Sequence, residues 1–349
     1  MNSELIMALE ALEKEKNIRK ELVFEALEAA LISAYKKNFG AGHNCFAEVN
    51  RETGDMRVYC TKTIVEEVTD PYTEITLEEA KGINKRYELG DMVDFDAEPA
   101  KFGRIAAQTA KQIVVQKIRE AERGNMYEEY SDKENDVMSG KIEKLERRGV
   151  MVDLGSAEAL LAPGEQIPGE DYTPGRRLKV YVYEVKKTTK TVSLMVSRTH
   201  PGLVKKLFEK EVPEIADGTV VIKSIAREAG SRSKLAVYSE NPNIDPVGAC
   251  VGQKGNRVAG IVEELNDEKI DVIQYSEDPK EYISAALNPA KVLSVEIDEE
   301  KKSALVTVPE FQLSLAIGKE GQNARLAARL TGWKIDIKAS ADDGKDING

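Results

Sequence analysis

The sequence predicts a multidomain α+β chain: an α+β domain, then a small closed five-stranded β-barrel, then two copies of one mixed helix–strand module. Three features of the 349 residues lead there. Apolar periodicity switches between the helical and the alternating kind within residues 1–130. Five short alternating segments crowd into residues 135–199. Residues 201–276 and 277–340 then run through the same order of elements twice.

In the first domain, Leu5, Ala8, Leu9 and Leu12 fall at helical spacing, and Ile18, Leu22, Ala26, Ala29 and Ala30 continue as an amphipathic run to Lys37. Gly40 and Gly42 close that run. Alternating strands are expected at 45–49, 56–59, 62–68 and 91–96, with Glu52, Thr53, Gly54 and Asp55 as a turn. Residues 102–123 form a long helix without an internal breaker.

The barrel strands are expected at 137–142, 149–155, 159–163, 178–185 and 192–197. Five short strands in so short a stretch suit a barrel of the OB type. Each copy of the repeat reads helix, strand, strand, helix, helix, strand. In the first these fall at 201–210, 218–227, 234–238, 246–251, 256–265 and 270–274; in the second at 281–287, 292–297, 304–308, 311–317, 322–330 and 335–337.

Composition narrows the function classes. Hydrophobic residues make up 41% and charged residues 32%, as in soluble globular domains. No apolar run approaches the roughly 18 residues of a membrane span. Residues 1–12 lack the basic start and small-residue cleavage site of a secretory signal. The three cysteines, Cys45, Cys60 and Cys250, are odd in number and far apart, which suits neither a disulfide framework nor a CxxC metal site. A cytoplasmic location is expected. The two histidines, His43 and His200, are read as loop residues, so His-based acid–base chemistry, zinc and other cofactors are not expected.

Net charge is −11, opposite to that of an indiscriminate polyanion binder. Residues 1–130 carry 18 basic against 25 acidic side chains, residues 131–200 carry 12 against 11, and residues 201–349 carry 20 against 25. Nucleic-acid contact therefore has to come from local patches on an acidic body.

The repeat supplies such patches. Each copy holds a GxxG: Gly252, Gln253, Lys254 and Gly255, then Gly318, Lys319, Glu320 and Gly321. Glycines without a Cβ let backbone approach a sugar–phosphate chain and make a tight turn between helices. The turn opens a helix N-terminus, whose free N–H groups and positive dipole end favour phosphate. Lys254 and Lys319 add a cation, and Asn256, Arg257, Gln322 and Asn323 begin the helices that follow. Glu320 offsets Lys319 in the second loop.

On these residues the repeat resembles two tandem type II KH domains, whose RNA-contacting loops map onto 252–255 and 318–321. Residues 135–199 resemble an S1-type RNA-binding barrel, through Ser139, Gly140, Lys141 and Ile142, the 149–153 strand, and Ser193, Leu194, Ser197 and Arg198. Such barrels hold single strands on aromatic and basic side chains. Here Tyr172, Tyr181 and Tyr183, with Arg147, Arg148, Arg176, Arg177 and Lys179, are the candidates, and Arg232 is added from the first KH copy. The phrases at 102–112, 118–123, 225–237 and 313–318, with the domain order, resemble the NusA family of bacterial transcription factors.

That resemblance implies an N-terminal domain on core RNA polymerase and barrel and KH domains on nascent single-stranded RNA and hairpins. It further implies effects on pausing, hairpin-dependent termination and antitermination, contact with other antitermination or elongation factors, and a monomeric state. Lys101, Arg104, Gln108 and Lys111 recur at i, i+3, i+7 and i+10, a strip on one helix side expected to face exiting RNA or polymerase. Lys36 and Lys37 either join it or complement a helix dipole. Some members carry acidic repeats after the second KH domain, whereas this chain ends in a short polar tail, 341–349. Barrel-plus-KH pairs also occur on RNA-degrading phosphorolases, but no P-loop, HExxH or carboxylate cluster supplies a catalytic body, and no enzyme is expected. An RNA chaperone or ribosome-assembly protein without polymerase is the other reading; it would not need the 102–123 helix.

Overall fold

The computed structural model describes residues 6, 7, 10, 13, 19–40, 42, 44–96, 99–188 and 191–340, without the side chains at 38, 39, 99–107 and 110. The expectations for Leu5, Ala8, Leu9, Leu12, Ile18, His43 and the tail 341–349 lie outside the described residues. The chain forms two compact units, Met1–Met126 and Tyr127–Gly349.

In the first unit, helix α1 (Lys20–Phe39) lies against a four-stranded sheet. The central strand β2 (Met56–Val65) pairs antiparallel with β1 (Cys45–Val49) and β4 (Met92–Asp96), and parallel with β3 (Glu74–Thr76). The segments expected at 56–59 and 62–68 are thus one strand, since nothing between them breaks the alternation. The buried stripe of α1 is Val23, Phe24, Leu27 and Leu31, while Leu22 is 44% exposed. The expected stripe through Leu22 and the alanines is therefore corrected by one position. Both stripes share the helical period, but the larger side chains remove more apolar area from water.

Sequence reading missed β3 and helix α2 (Leu77–Ile83). The signal was present: Thr76 and Glu79 form a reciprocal capping box, the Thr76 side chain accepting from the Glu79 N–H. Replacing Thr76 by alanine is expected to cost about 1 kcal/mol. Faster amide exchange confined to α2 would report the loss; unchanged protection there would remove the cap's role. Helix α3 (Pro99–Ser131) follows, and its last turn belongs to the second unit.

The second unit begins on that turn. Tyr130 is 1% exposed, its hydroxyl 3.3 Å from the Leu154 carbonyl and 3.0 Å from Ser156 Oγ. Strands β5 (Val137–Glu146), β6 (Gly149–Asp153), β7 (Glu158–Leu161), β8 (Arg177–Lys187) and β9 (Val192–Ser197) close into a barrel in the order β5-β6-β7-β9-β8. Ile142, Val152, Ala159, Leu161, Val180, Val182 and Val196 fill its core.

Both KH copies have one topology. The first holds α4 (Pro201–Glu211), α5 (Pro213–Ala216), β10 (Val221–Glu228), β11 (Arg232–Tyr238), α6 (Pro246–Val251), α7 (Asn256–Glu264) and β12 (Lys269–Gln274). The second holds α8 (Pro279–Ala286), β13 (Ser294–Asp298), β14 (Ser303–Pro309), α9 (Leu313–Ile317), α10 (Gln322–Thr331) and β15 (Lys334–Ser340). In each sheet the first pair is antiparallel and the second, β11 with β12 and β14 with β15, parallel. A parallel pair cannot be joined by a tight hairpin; the helix–loop–helix that carries each GxxG is the crossover.

Hydrophobic cores run across the module boundaries. Val137 and Tyr181 of the barrel are buried with Leu203, Phe208, Leu235 and Ile261 of the first KH copy. Ala226, Ala236 and Ile273 of that copy are buried with Tyr282, Ile283, Leu326 and Leu330 of the second. The two alanines let α10 approach the sheet, where Ser224 Oγ and the Tyr282 hydroxyl both donate to the Leu330 carbonyl, at 2.9 and 3.0 Å. Lys234, 0% exposed, donates to Asp271 (3.0 Å) and, across the boundary, to the Asn288 carbonyl (2.7 Å).

Candidate nucleic-acid interface

The two GxxG loops share one backbone. Gly252, Lys254 and Gly255 have φ/ψ of 74/177, 54/23 and 79/10; Gly318, Glu320 and Gly321 have 76/173, 52/28 and 75/14. The first glycine of each loop occupies a region open essentially to glycine, and the next two positive values are left-handed. Packing enforces the same choice. A Cβ on Gly252 would meet Arg257 Cγ at 2.8 Å, and one on Gly318 would meet the Asn323 backbone nitrogen at 2.8 Å.

What the loops offer a ligand is narrower than the sequence suggests. Gln253, Lys254, Asn256, Lys319 and Glu320 are exposed. Arg257 instead covers Gly252 with its stem and turns its guanidinium to Glu214, 3.0 Å away, and the Ala249 carbonyl. Asn323 is 2% exposed, its Nδ2 donating to the Leu287 and Ala316 carbonyls at 3.0 Å. Gln322 bridges to Glu228 (2.9 Å) and Ser231 (2.7 Å) of the first copy. Arg257, Asn323 and Gln322, expected as RNA contacts, therefore hold the loops in place. Arg232 is likewise spent on Asp271, with bonds of 2.8 and 2.9 Å. Burial opposes the Asp271 charge, yet Arg232 and Lys234 hold its carboxyl below the usual carboxylate range.

The second loop has a carboxylate at its back. Glu228 accepts from Arg325 Nε at 2.6 Å, and that bond holds its pKa low. Arg325 also reaches the Glu320 carbonyl at 3.1 Å. The hairpin of the first copy thus buttresses the helix that follows the second loop.

The barrel's aromatic candidates are corrected as well. Tyr172 is 8% exposed; its hydroxyl donates to Glu170 (2.6 Å) and accepts from the Ile167 N–H (2.9 Å). Tyr181 is 6% exposed and stacks on His200, with ring centroids 4.6 Å apart. Tyr183 packs against the shared core. Tyr172 and Tyr181 are thus buried, and Tyr183 is half-buried against the core shared with the first copy. Arg147, Arg148, Arg176 and Arg177 are exposed, with Arg148 on Glu146 and Arg176 on the Asp171 carbonyl. His200 caps α4, accepting the Gly202 N–H at 3.0 Å, and burial lowers its pKa.

Arg198, part of the closing barrel phrase, is 1% exposed. It pairs with Glu170 through Nε (3.0 Å) and Nη2, and reaches the Lys179 carbonyl (2.8 Å), Glu264 Oε1 (3.1 Å) and the Glu264 carbonyl (2.7 Å). This ties the barrel to the far end of α7, the helix that starts at the first GxxG.

In the first unit, Gln108 and Lys111 are exposed on α3, as are Lys36 and Lys37 in the last turn of α1. The side chains of Lys101 and Arg104 lie outside the described residues. Among the described residues, no group of three or more His, Cys, Asp or Glu could hold a metal ion, and no helix is long and apolar enough to cross a membrane.

Comparison with known proteins assigns every segment. The model of the NusA N-terminal domain matches residues 4–124, that of the S1 RNA binding domain 131–197, and those of the NusA-like first and second KH domains 198–275 and 279–345. The transcription termination/antitermination protein NusA of Halalkalibacterium halodurans is 58% identical over 342 residues, covering 98% of this chain and 90% of that protein. The protein of the same name from Bacillus subtilis is 57% identical, covering 98% and 92%. The one from Thermus thermophilus is 44% identical, covering 97% and 90%.

Proposed function

The chain belongs to the NusA family of transcription termination/antitermination proteins, and from that premise we propose that it joins RNA polymerase to the RNA the polymerase is making. The first unit docks on core polymerase. The barrel and KH copies hold emerging single-stranded RNA and hairpin stems, and the combined effect is on pausing, hairpin-dependent termination and antitermination. The protein acts by binding as a cytoplasmic monomer, without a catalytic step or cofactor, and other antitermination or elongation factors join it on the transcript.

The observation that carries the RNA half is the pair of loops with one backbone, each placing two glycines and an exposed lysine before a helix N-terminus. Phosphate oxygens fit such a turn, because the glycines allow close approach and the N–H groups lie where the dipole is positive. Lys254 makes the first loop the stronger phosphate site; Glu320 and Glu228 weaken the second. On α3, Lys101, Arg104, Gln108 and Lys111 face exiting RNA or polymerase, with Lys36 and Lys37 as further cations.

Co-purification with core RNA polymerase tests the reading, comparing the full chain with one lacking residues 1–126, so that the Tyr130 turn stays with the barrel. The full chain is expected to be retained and the shortened one lost, while both bind single-stranded RNA. If neither is retained and both bind RNA, the polymerase assignment fails and an RNA chaperone or ribosome-assembly role replaces it.

A further inference from the structure

In the second KH copy an exposed apolar stripe runs straight into the GxxG loop. Phe311 is 77% exposed and Leu315 44%, while Ala316, turned away from that face of α9, is 0% exposed. Phe311 occupies the turn Glu310–Gln312 that opens α9, and Leu315 follows one helical turn later. The next step along that face is Gly318, the first loop glycine. Adjoining apolar groups left bare beside a candidate ligand loop suit a binding surface.

The first copy lacks this feature. Asp245 precedes Gly252 by as many positions as Phe311 precedes Gly318. Asp245 caps α6, its carboxylate accepting the Val247 N–H at 3.0 Å, and Ala249 takes the place of Leu315. The charge balance differs too: the first loop carries Lys254 without an acid, whereas in the second Glu320 offsets Lys319. The first copy is thus richer in cation and the second in apolar surface.

We propose that Phe311 is a stacking platform for one nucleobase of the single-stranded RNA whose backbone crosses the 318–321 loop. This rests on the RNA-binding reading of the KH copies and adds a division of labour to it. A rise of about 1.5 Å per residue puts the Phe311 Cα roughly 10 Å from that of Gly318, within the span of the about four nucleotides a GxxG module clamps. Because the stripe ends on the loop, whatever covers the ring is continuous with whatever fills the loop. The neighbours Gln312 and Ser314, polar and uncharged, suit a base edge. An aromatic face accepts any base, so the ring adds affinity with little sequence preference.

The full chain is mixed with a short single-stranded RNA carrying 2-aminopurine at successive positions, whose fluorescence falls when the base is stacked. One position is expected to be quenched on binding, and quenched equally with Phe311→Trp. Phe311→Ala and Phe311→Leu are expected to abolish that quenching and weaken binding about tenfold, within the range measured for base–aromatic stacking. The ring is outside the core, so these variants keep the wild-type melting temperature. Unchanged quenching and affinity in Phe311→Ala, while Gly318→Asp weakens binding, overturns the platform and leaves the loop reading intact. If Gly252→Asp and Gly318→Asp also leave RNA binding unchanged, the KH reading falls and the platform with it.

Discussion

Replacing Arg198 by methionine is expected to destabilise the second unit by about 3–5 kcal/mol, the loss typical when one partner of a buried ion pair is removed. Arg198 and Glu170 side chains are each 1% exposed. Without the guanidinium, the Glu170 carboxylate keeps only the Tyr172 hydroxyl, and the Lys179 and Glu264 carbonyls lose a donor. Burial pushes the Tyr172 hydroxyl pKa up, and Glu170 adds to the shift, so the phenol stays a donor but cannot neutralise the acid. The double variant Arg198→Met with Glu170→Gln is expected to be less damaged than the two single losses summed, because no unpaired charge remains. Urea unfolding followed by circular dichroism measures both. A single-variant loss below about 1 kcal/mol would mean the pair is hydrated and not the clamp described. RNA binding is expected to weaken too, since Arg198 fixes the end of the helix that begins at the first GxxG.

Gly318→Ala should be nearly as costly, at about 3 kcal/mol, and Gly321→Ala in the same loop much cheaper, at about 1 kcal/mol. Both have positive φ, but Gly318 adopts 76/173 and Gly321 75/14. The former region is essentially closed to side chains; the latter costs a non-glycine residue roughly 1–2 kcal/mol. A Cβ at 318 also meets the Asn323 nitrogen at 2.8 Å, whereas at 321 the nearest atom is the far end of Arg325 at 4.0 Å. Backbone at the start of α10 cannot yield without moving the helix that lines the loop. Thermal unfolding and RNA titration of the two variants separate these contributions. Equal losses would show that the positive φ alone sets the cost, with neither ψ nor the Asn323 contact adding to it.

Much of this architecture is readable because its signals are local. The barrel strands alternate over a few residues each, and the two KH copies repeat their glycines and closing strands at nearly constant offset. The roles of individual polar residues are not local. Arg232 finds Asp271 39 residues away, Arg257 finds Glu214 at 43, and Arg325 finds Glu228 at 97. Nothing near Arg232 or Arg257 in the sequence says that its charge is already spent. The same holds for Tyr172, whose hydroxyl donates to Glu170, itself paired with Arg198 28 residues further on. Asn323 looks like a polar helix start, and only the closeness of α10 to α9 turns it inward. On α1 the period was legible but the phase was not, since alanines and larger residues shared it one position apart.

The shared apolar layer between the KH copies has a consequence for the order in which the chain is made. Ala226, Ala236 and Ile273 are complete as a surface once β12 has left the ribosome, but the residues that cover them, Tyr282, Ile283, Leu326 and Leu330, come later. Leu330 is 57 residues beyond Ile273. At about 5–20 residues per second, the half-made protein shows a greasy sheet to the cell for roughly 3–11 seconds. A chain cut off between the copies keeps that sheet bare for good, and such fragments should associate with one another or be held by chaperones.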